Sequence, residues 1–218
     1  MSGTRLILVR HGESRANADK YIGGPRSCMG LTDLGRRQVE ALRDRILVGR
    51  DVVATALYSS NFPRAIETAT VLAPALGSLP MTIEAGWGEH DPGPDCDGMP
   101  FSEFVDRFGE PDWDGDPHEV TYPGGETVAD FHDRVNQTMK RTIRENVGGT
   151  VVVSTHGGVV DRVMRTILHG ATTGKFELYT LNASITEVVH VGGSKWRLVR
   201  YNDASHLNDV DPFGSAGR

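Results

Sequence analysis

Short apolar runs alternate with segments of helical period from residue 5 to residue 170, and no other feature of the chain constrains its fold so strongly. Arg5–Val9 is a buried-strand run, Leu-Ile-Leu-Val after the arginine, that stops at a polar cluster. Thr32 is placed to cap a helix with Leu34, Val39, Leu42 and Ile46 on one face. A second strand is predicted over Val52–Tyr58. Pro63 then suits the first turn of a helix carrying Ile66, Ala69, Ala73 and Leu76. Met81–Ile83 reads as a brief third strand. A helix over 126–145 follows, with Val128, Phe131, Val135 and Thr138 or Met139 inward. Thr150–Ser154 is another β-branched strand, and the helix after it carries Val160, Val163, Met164 and Ile167. Strand–helix alternation of this kind means βαβ units and a mainly parallel sheet covered on both faces.

Two segments interrupt the pattern and one closes it. Residues 11–31 read as a long polar loop. Residues 84–125 are rich in Gly, Pro and Asp, with a short helix at 100–108, and read as an irregular cover over a site. The chain ends in a predicted hairpin, 184–191 and 196–201, joined through Gly192-Gly193. No linker divides the sequence, so a single domain over 1–218 is expected.

Composition narrows the function classes. A net charge of −6 disfavours nucleic acid as a partner, because a phosphate backbone calls for a basic face. No run approaches the roughly 18 apolar residues of a membrane span. Leu6–Val9 is too short for a signal peptide and meets Arg10-His11 at once, so a cytoplasmic protein is expected. Cys28 and Cys96 fit no metal or redox spacing and read as reduced thiols. An EF-hand begun at Asp95 fails, since Pro100 and Asp106 stand where Gly and Glu are required.

The chemistry concentrates where two strands end. Arg10-His11-Gly12 and Thr155-His156-Gly157 each follow a buried run, and ligands of open α/β sheets bind beyond the carboxyl ends of the strands. The glycines permit close backbone approach, and the helix after His156 turns N–H groups to the same edge. Either motif alone is weak. By composition a chance Arg-His-Gly arises in roughly one chain in twelve, and His169-Gly170 reads as a plain helix end. Arg64 falls in the first turn of a helix, where the dipole disfavours a cation, so an anionic partner would account for it.

Five ordered segments carry a resemblance. Leu8-Val9-Arg10-His11-Gly12-Glu13-Ser14 with Asn17, then Leu31-Thr32-Asp33-Leu34-Gly35, then Tyr58-Ser59-Ser60 through Arg64-Ala65-Ile66-Glu67-Thr68-Ala69, then Pro123-Gly124-Gly125-Glu126-Thr127, and finally Val153-Ser154-Thr155-His156-Gly157-Gly158 resemble the motifs of the histidine phosphatase superfamily, phosphoglycerate mutase-like branch. Asn202 through Leu207 is similar to the family's tail. The resemblance implies a three-layer α/β/α sandwich with the C-terminal hairpin on its sheet. It implies that His11 attacks phosphorus, that Arg10, Arg64, His156 and Gly157 surround the phosphoryl oxygens, and that Asn17 hydrogen-bonds the phosphate or the first substrate oxygen.

The resemblance also implies an acid in the loop after the third strand, as Glu followed by three residues and Gly. Glu89-His90-Asp91-Pro92-Gly93 has that spacing, and Glu84, Asp91 and Asp95 are its rivals. Two guanidiniums and a histidine supply the positive charge that phosphoryl transfer needs, so neither metal nor cofactor is expected. Mutases of the family resemble longer chains, whereas only 34 residues separate Glu89 from Gly124 here. A phosphatase acting on a small phosphorylated metabolite is therefore favoured over a mutase or a non-catalytic phosphate-binding module. Substrate choice is expected to rest on 15–30 and 86–122. The exposed edge of the hairpin at 184–201 is open to pairing in a homodimer.

Overall fold

The computed structural model describes residues 3–213. Its core is a six-stranded sheet of β1 (Thr4–Arg10), β2 (Ala56–Ser59), β3 (Met81–Ile83), β4 (Thr150–Thr155), β5 (Ile185–Gly192) and β6 (Lys195–Asp203). The strand order is β3-β2-β4-β1-β5-β6. The first four strands run parallel, and the C-terminal hairpin adds β5 antiparallel to β1, with β6 at the edge.

Every position of β4 is buried and β1 is nearly so, which is why neither shows polar alternation. The pleat divides their side chains between two cores. Leu6, Leu8, Val151 and Val153 pack on one face with Phe131, Val135 and Met139 of α6 (Val128–Glu145) and Val160, Val163 and Met164 of α7 (Gly157–Ile167). Ile7, Val9 and Val152 pack on the other with Val39, Leu42 and Ile46 of α2 (Asp33–Gly49) and Ala69 and Leu72 of α3 (Pro63–Leu72). Helices therefore cover both faces, as the alternation predicts. Truncating one of the central leucines to alanine would cost about 2–5 kcal/mol.

Capping chemistry sets the helix starts. Thr32 Oγ1 accepts from Gly35 N–H at 3.0 Å to open α2, and Thr127 Oγ1 accepts from Asp130 N–H at 3.0 Å to open α6. Pro63 opens α3, where its missing N–H is no loss.

Several boundaries differ from the sequence reading. The strand expected over Val52–Tyr58 forms only over Ala56–Ser59. The third helix closes at Leu72, so Ala73 and Leu76 lie on a separate 3-10 turn, and Ile66 is only half-buried beside the buried Arg64, Ala65 and Thr68. Residues 11–31 are not wholly a loop. They contain α1 (Arg15–Asp19), opened by a reciprocal Ser14–Asn17 capping box that the polar composition hid. Residues 84–125 hold a one-turn helix, α4 (Gly93–Cys96), besides α5 (Phe101–Phe108). Their small core of Ile22, Cys96 and Phe104 ties this cover to the 11–31 segment. Both cysteines are free. Among the described residues no helix is long and apolar enough to cross a membrane.

Candidate active site

Register brings the two histidines together. β1 and β4 pair in parallel with Arg10 opposite Thr155, so the next residues, His11 and His156, leave the sheet side by side. The ladder continues one step further, with His11 N–H donating to the Thr155 carbonyl at 2.9 Å. The two rings meet edge to face, their centroids 5.2 Å apart.

Four further hydrogen bonds hold His11. Its Nδ1 donates to the Gly12 carbonyl at 2.7 Å, which leaves Nε2 as the atom with a free electron pair. Arg64 Nε donates to that Nε2 at 3.1 Å. From below, Asn182 Nδ2 and Ala183 N–H donate to the His11 carbonyl at 3.0 and 3.2 Å. Burial first, then the Arg64 and Arg10 charges, hold the His11 imidazole well below its usual range, so the ring is neutral. Gly12 serves a different purpose from the ligand approach expected of it. A Cβ there would lie 2.4 Å from the Gly35 carbonyl, so the glycine lets the chain after His11 press against the start of α2.

Arg64 reaches the site because Pro63 starts α3 just beyond β2. Its NH1 donates to the Gly23 carbonyl at 2.9 Å, and its guanidinium lies over the Phe62 ring at 4.6 Å. Arg10 donates from NH1 to the Thr180 carbonyl, while its buried Nε has no partner. His156 is fully buried and is not among the residues that line the cavity. Its Nε2 shares a hydrogen bond with Ser60 Oγ at 2.7 Å, and its Nδ1 has no partner. Ser60 Oγ also accepts from Phe62 N–H at 3.3 Å. A core histidine with both nitrogens satisfied would look different.

Glu89 alone of the four candidate acids stands on the cavity wall. Its Oε2 accepts from Gly158 N–H at 3.0 Å, and its Oε1 from His90 N–H at 3.0 Å. A Cβ on Gly158 would sit 2.2 Å from Oε1, so this carboxylate needs a glycine beneath it. One of the helix N–H groups expected to face a phosphate is thus taken by Glu89. Glu84 is turned elsewhere, capping the Ala85–Trp87 turn and pairing with Arg141 at 2.7 Å. Asp91 accepts from Gly93 N–H at 2.9 Å and faces Arg26 at 3.8 Å. Asp95 lies near Gly124. Asn17 lines the cavity, with its Oδ1 accepting from Ser14 N–H and Oγ, so its amide N–H groups are what it can offer a ligand. Gly157 lines the cavity beside Arg10 and Thr180.

Three features escaped the sequence reading. Ser60 was visible within a motif but not as the partner of His156. Arg134 of α6 donates to the Gly86, Gly88 and Glu89 carbonyls at 3.2, 3.0 and 3.1 Å and pairs with Glu126 at 2.5 Å, so one side chain clamps the loop that carries Glu89. The irregular segment after α7 contributes residues 174–180 to the wall, where only 15–30 and 86–122 were expected. Its signal was its lack of pattern between a helix and a hairpin. Asn202 Oδ1 accepts from Leu181 N–H at 2.7 Å and ties this segment to β6. The cavity these walls enclose measures about 960 Å³. Among the described residues no group of three or more His, Cys, Asp and Glu side chains is placed to hold a metal ion.

Fold and site together define an α/β protein with a neutral histidine, two arginines and a second histidine gathered at the carboxyl ends of its central strands. The chain belongs to the histidine phosphatase superfamily, branch 1, whose family model matches residues 6–204. It is 30% identical over 217 residues to the metal-independent phosphoserine phosphatase of Arabidopsis thaliana, covering 95% of this chain and 84% of that one. It is likewise 30% identical over 208 residues to phosphoglycerate mutase-like protein 4 of the same plant, covering 94% and 87%. Among solved structures, YhfR of Bacillus stearothermophilus superposes with a TM-score of 0.80 at 25% identity, over 94% of this chain and all of that one.

Proposed function

We propose that the protein is a metal-independent phosphatase that hydrolyses a small phosphorylated metabolite through a phosphohistidine on His11. The observation that carries this reading is the Nε2 of His11, neutral, bare of its proton and held 3.1 Å from Arg64 Nε. In the first step the Nε2 electron pair bonds to phosphorus and the bond from phosphorus to the ester oxygen breaks. Glu89, in its acid form, gives its proton to the departing oxygen. In the second step water attacks phosphorus, its proton passes to the Glu89 carboxylate, and the phosphorus–nitrogen bond breaks to release inorganic phosphate and free His11. Arg10 and Arg64 neutralise the phosphoryl oxygens throughout, and His156 donates from Nδ1. Asn17 and Gly157 line the same space and contact the bound phosphate.

Phosphatase is favoured over mutase because the cover between Glu89 and α6 is short and leaves the cavity open to water. The name of the Arabidopsis phosphoserine phosphatase supports hydrolysis without metal. The test is rapid acid or alkaline quench of the protein with ³²P-labelled p-nitrophenyl phosphate in the presence of EDTA. An acid-labile, alkali-stable label on wild-type protein, absent from His11→Ala, is expected. Turnover that needs added magnesium or zinc, or a label of full level in His11→Ala, overturns the reading.

A further inference from the structure

We propose that the leaving group this site is shaped for is a neutral one bearing an aromatic ring, seated against Trp113, Tyr122, Phe131, Phe176 and Tyr179. The inference rests on the phosphatase reading above and deepens it.

The first observation is room. A cavity of about 960 Å³ lies at the upper end of the range, about 300–1,000 Å³, that holds drug-sized ligands. A phosphoryl group on a three-carbon chain leaves most of it empty.

The second is the character of the wall. Phe101, Trp113, Phe176 and Tyr179 line the cavity yet are 39%, 42%, 68% and 45% exposed. Large rings gathered bare around one opening mark a place where apolar surface is covered by something else. Trp113 in turn packs edge to face on the half-buried Tyr122 at 5.6 Å.

The third is His90. It lines the same wall, is 7% exposed, and packs edge-on against Trp113 at 5.2 Å and Phe131 at 5.6 Å. Its hydrogen bonding is limited to the Glu126 backbone, which leaves one ring nitrogen without a partner. Burial holds the imidazole below its usual range and so neutral, with one ring nitrogen left to give a ligand. A buried polar ring left half-partnered in an aromatic wall fits a ring that carries a polar atom of its own.

The fourth is charge. Beyond Arg10 and Arg64 the wall holds Arg162, Arg165 and Lys175 against Glu89, Asp114, Asp161 and Glu177. The two arginines are largely committed. Arg162 pairs with Asp161 and donates to the Thr172 carbonyl at 2.5 Å. Arg165 donates to Asp161 at 2.8 Å and to the Ala171 and Phe176 carbonyls at 2.9 and 2.5 Å. They pin the loop that presents Phe176. With Glu89 counted at the reacting end, three cations face three carboxylates, so this part of the wall carries no net positive charge to draw a carboxylate or second phosphate on the leaving group.

The test uses four substrates with alkoxide leaving groups, so that ease of departure does not mask fit: 2-phenylethyl phosphate, n-butyl phosphate, O-phosphoserine and glucose 6-phosphate. The expected kcat/KM of the wild-type enzyme is at least fivefold higher for 2-phenylethyl phosphate than for each of the others. In Trp113→Ala and Phe176→Ala the advantage of 2-phenylethyl phosphate over n-butyl phosphate should fall by at least half. An advantage below fivefold, or one undiminished in both variants, overturns the aromatic seat while leaving the phosphatase reading intact. No turnover of any of the four, nor of p-nitrophenyl phosphate, overturns the phosphatase reading and the seat with it.

Discussion

The two ends of the cavity are built in opposite ways. At the phosphate end, His11, Arg64 and His156 are buried, leave regular elements within a residue or two of a strand end or helix start, and are fixed by hydrogen bonds of 2.7–3.1 Å. At the other end the wall comes mainly from 90–122 and 174–180, segments with little regular structure, and Trp113, Phe176 and Tyr179 stand partly in water. Reacting atoms tolerate displacements of only a fraction of an ångström, so their supports belong on the rigid sheet. Recognition of a leaving group needs area and shape, which loops vary without disturbing the chemistry.

The comparison can be broken most severely at His11. His11→Ala is expected to lower turnover by about 10⁴–10⁶-fold, since the nucleophile and everything arranged around it act as a unit. The circular dichroism spectrum should be unchanged. Retained turnover would mean that the rigid end is not where the reaction occurs.

Glu89→Gln should slow alkyl phosphates about 10²–10⁴-fold and p-nitrophenyl phosphate far less, because only the alkoxide needs a proton as it leaves. Glu84→Gln, which breaks a surface pair with Arg141, should change either rate less than twofold. Equal slowing of alkyl and aryl substrates by Glu89→Gln would remove Glu89 from the role of acid.

Gly158→Ala sharpens the comparison, since it touches the acid without removing it. The new methyl would fall 2.2 Å from Glu89 Oε1 and displace the carboxylate. A rate loss of about tenfold on alkyl phosphates is expected, with the same alkyl-over-aryl signature as Glu89→Gln. A loss equal for both substrate types would point to damage in α7 instead.

The smallest effect is one of proton occupancy. An imidazole at its ordinary value of about 6.5 is mostly protonated at pH 6. His11 and His156 are pushed well below that by burial and by the neighbouring arginines, so both rings should remain neutral at pH 6 in an NMR titration. In Arg64→Gln one positive neighbour is gone, and the His11 titration should move upward. Protonation of His11 in the wild type at pH 6 would contradict the neutral nucleophile.

What the sequence determined by itself is the layered sheet and the edge of it at which the two histidines lie. Leu6–Val9 and Val151–Val153 are buried on both faces, and hydrophobic runs of that kind between helical periods leave few topologies open. A histidine directly after such a strand can only lie at its carboxyl edge, so His11 and His156 were legible before any contact was known. Arg64 was legible for the same local reason, its position one residue after a helix-starting proline. The Glu-to-Gly spacing singled out Glu89 and kept Glu84, Asp91 and Asp95 as rivals. Tertiary structure puts Glu89 alone of the four on the cavity wall, through the Arg134 clamp and the space above Gly158, contacts made across 45 and 69 residues of chain. The partnership of Ser60 with His156 and the aromatic wall from 174–180 were decided in the same way. Both depend on which segments the sheet brings together, and a pattern read along the chain carries no record of neighbours made only by folding.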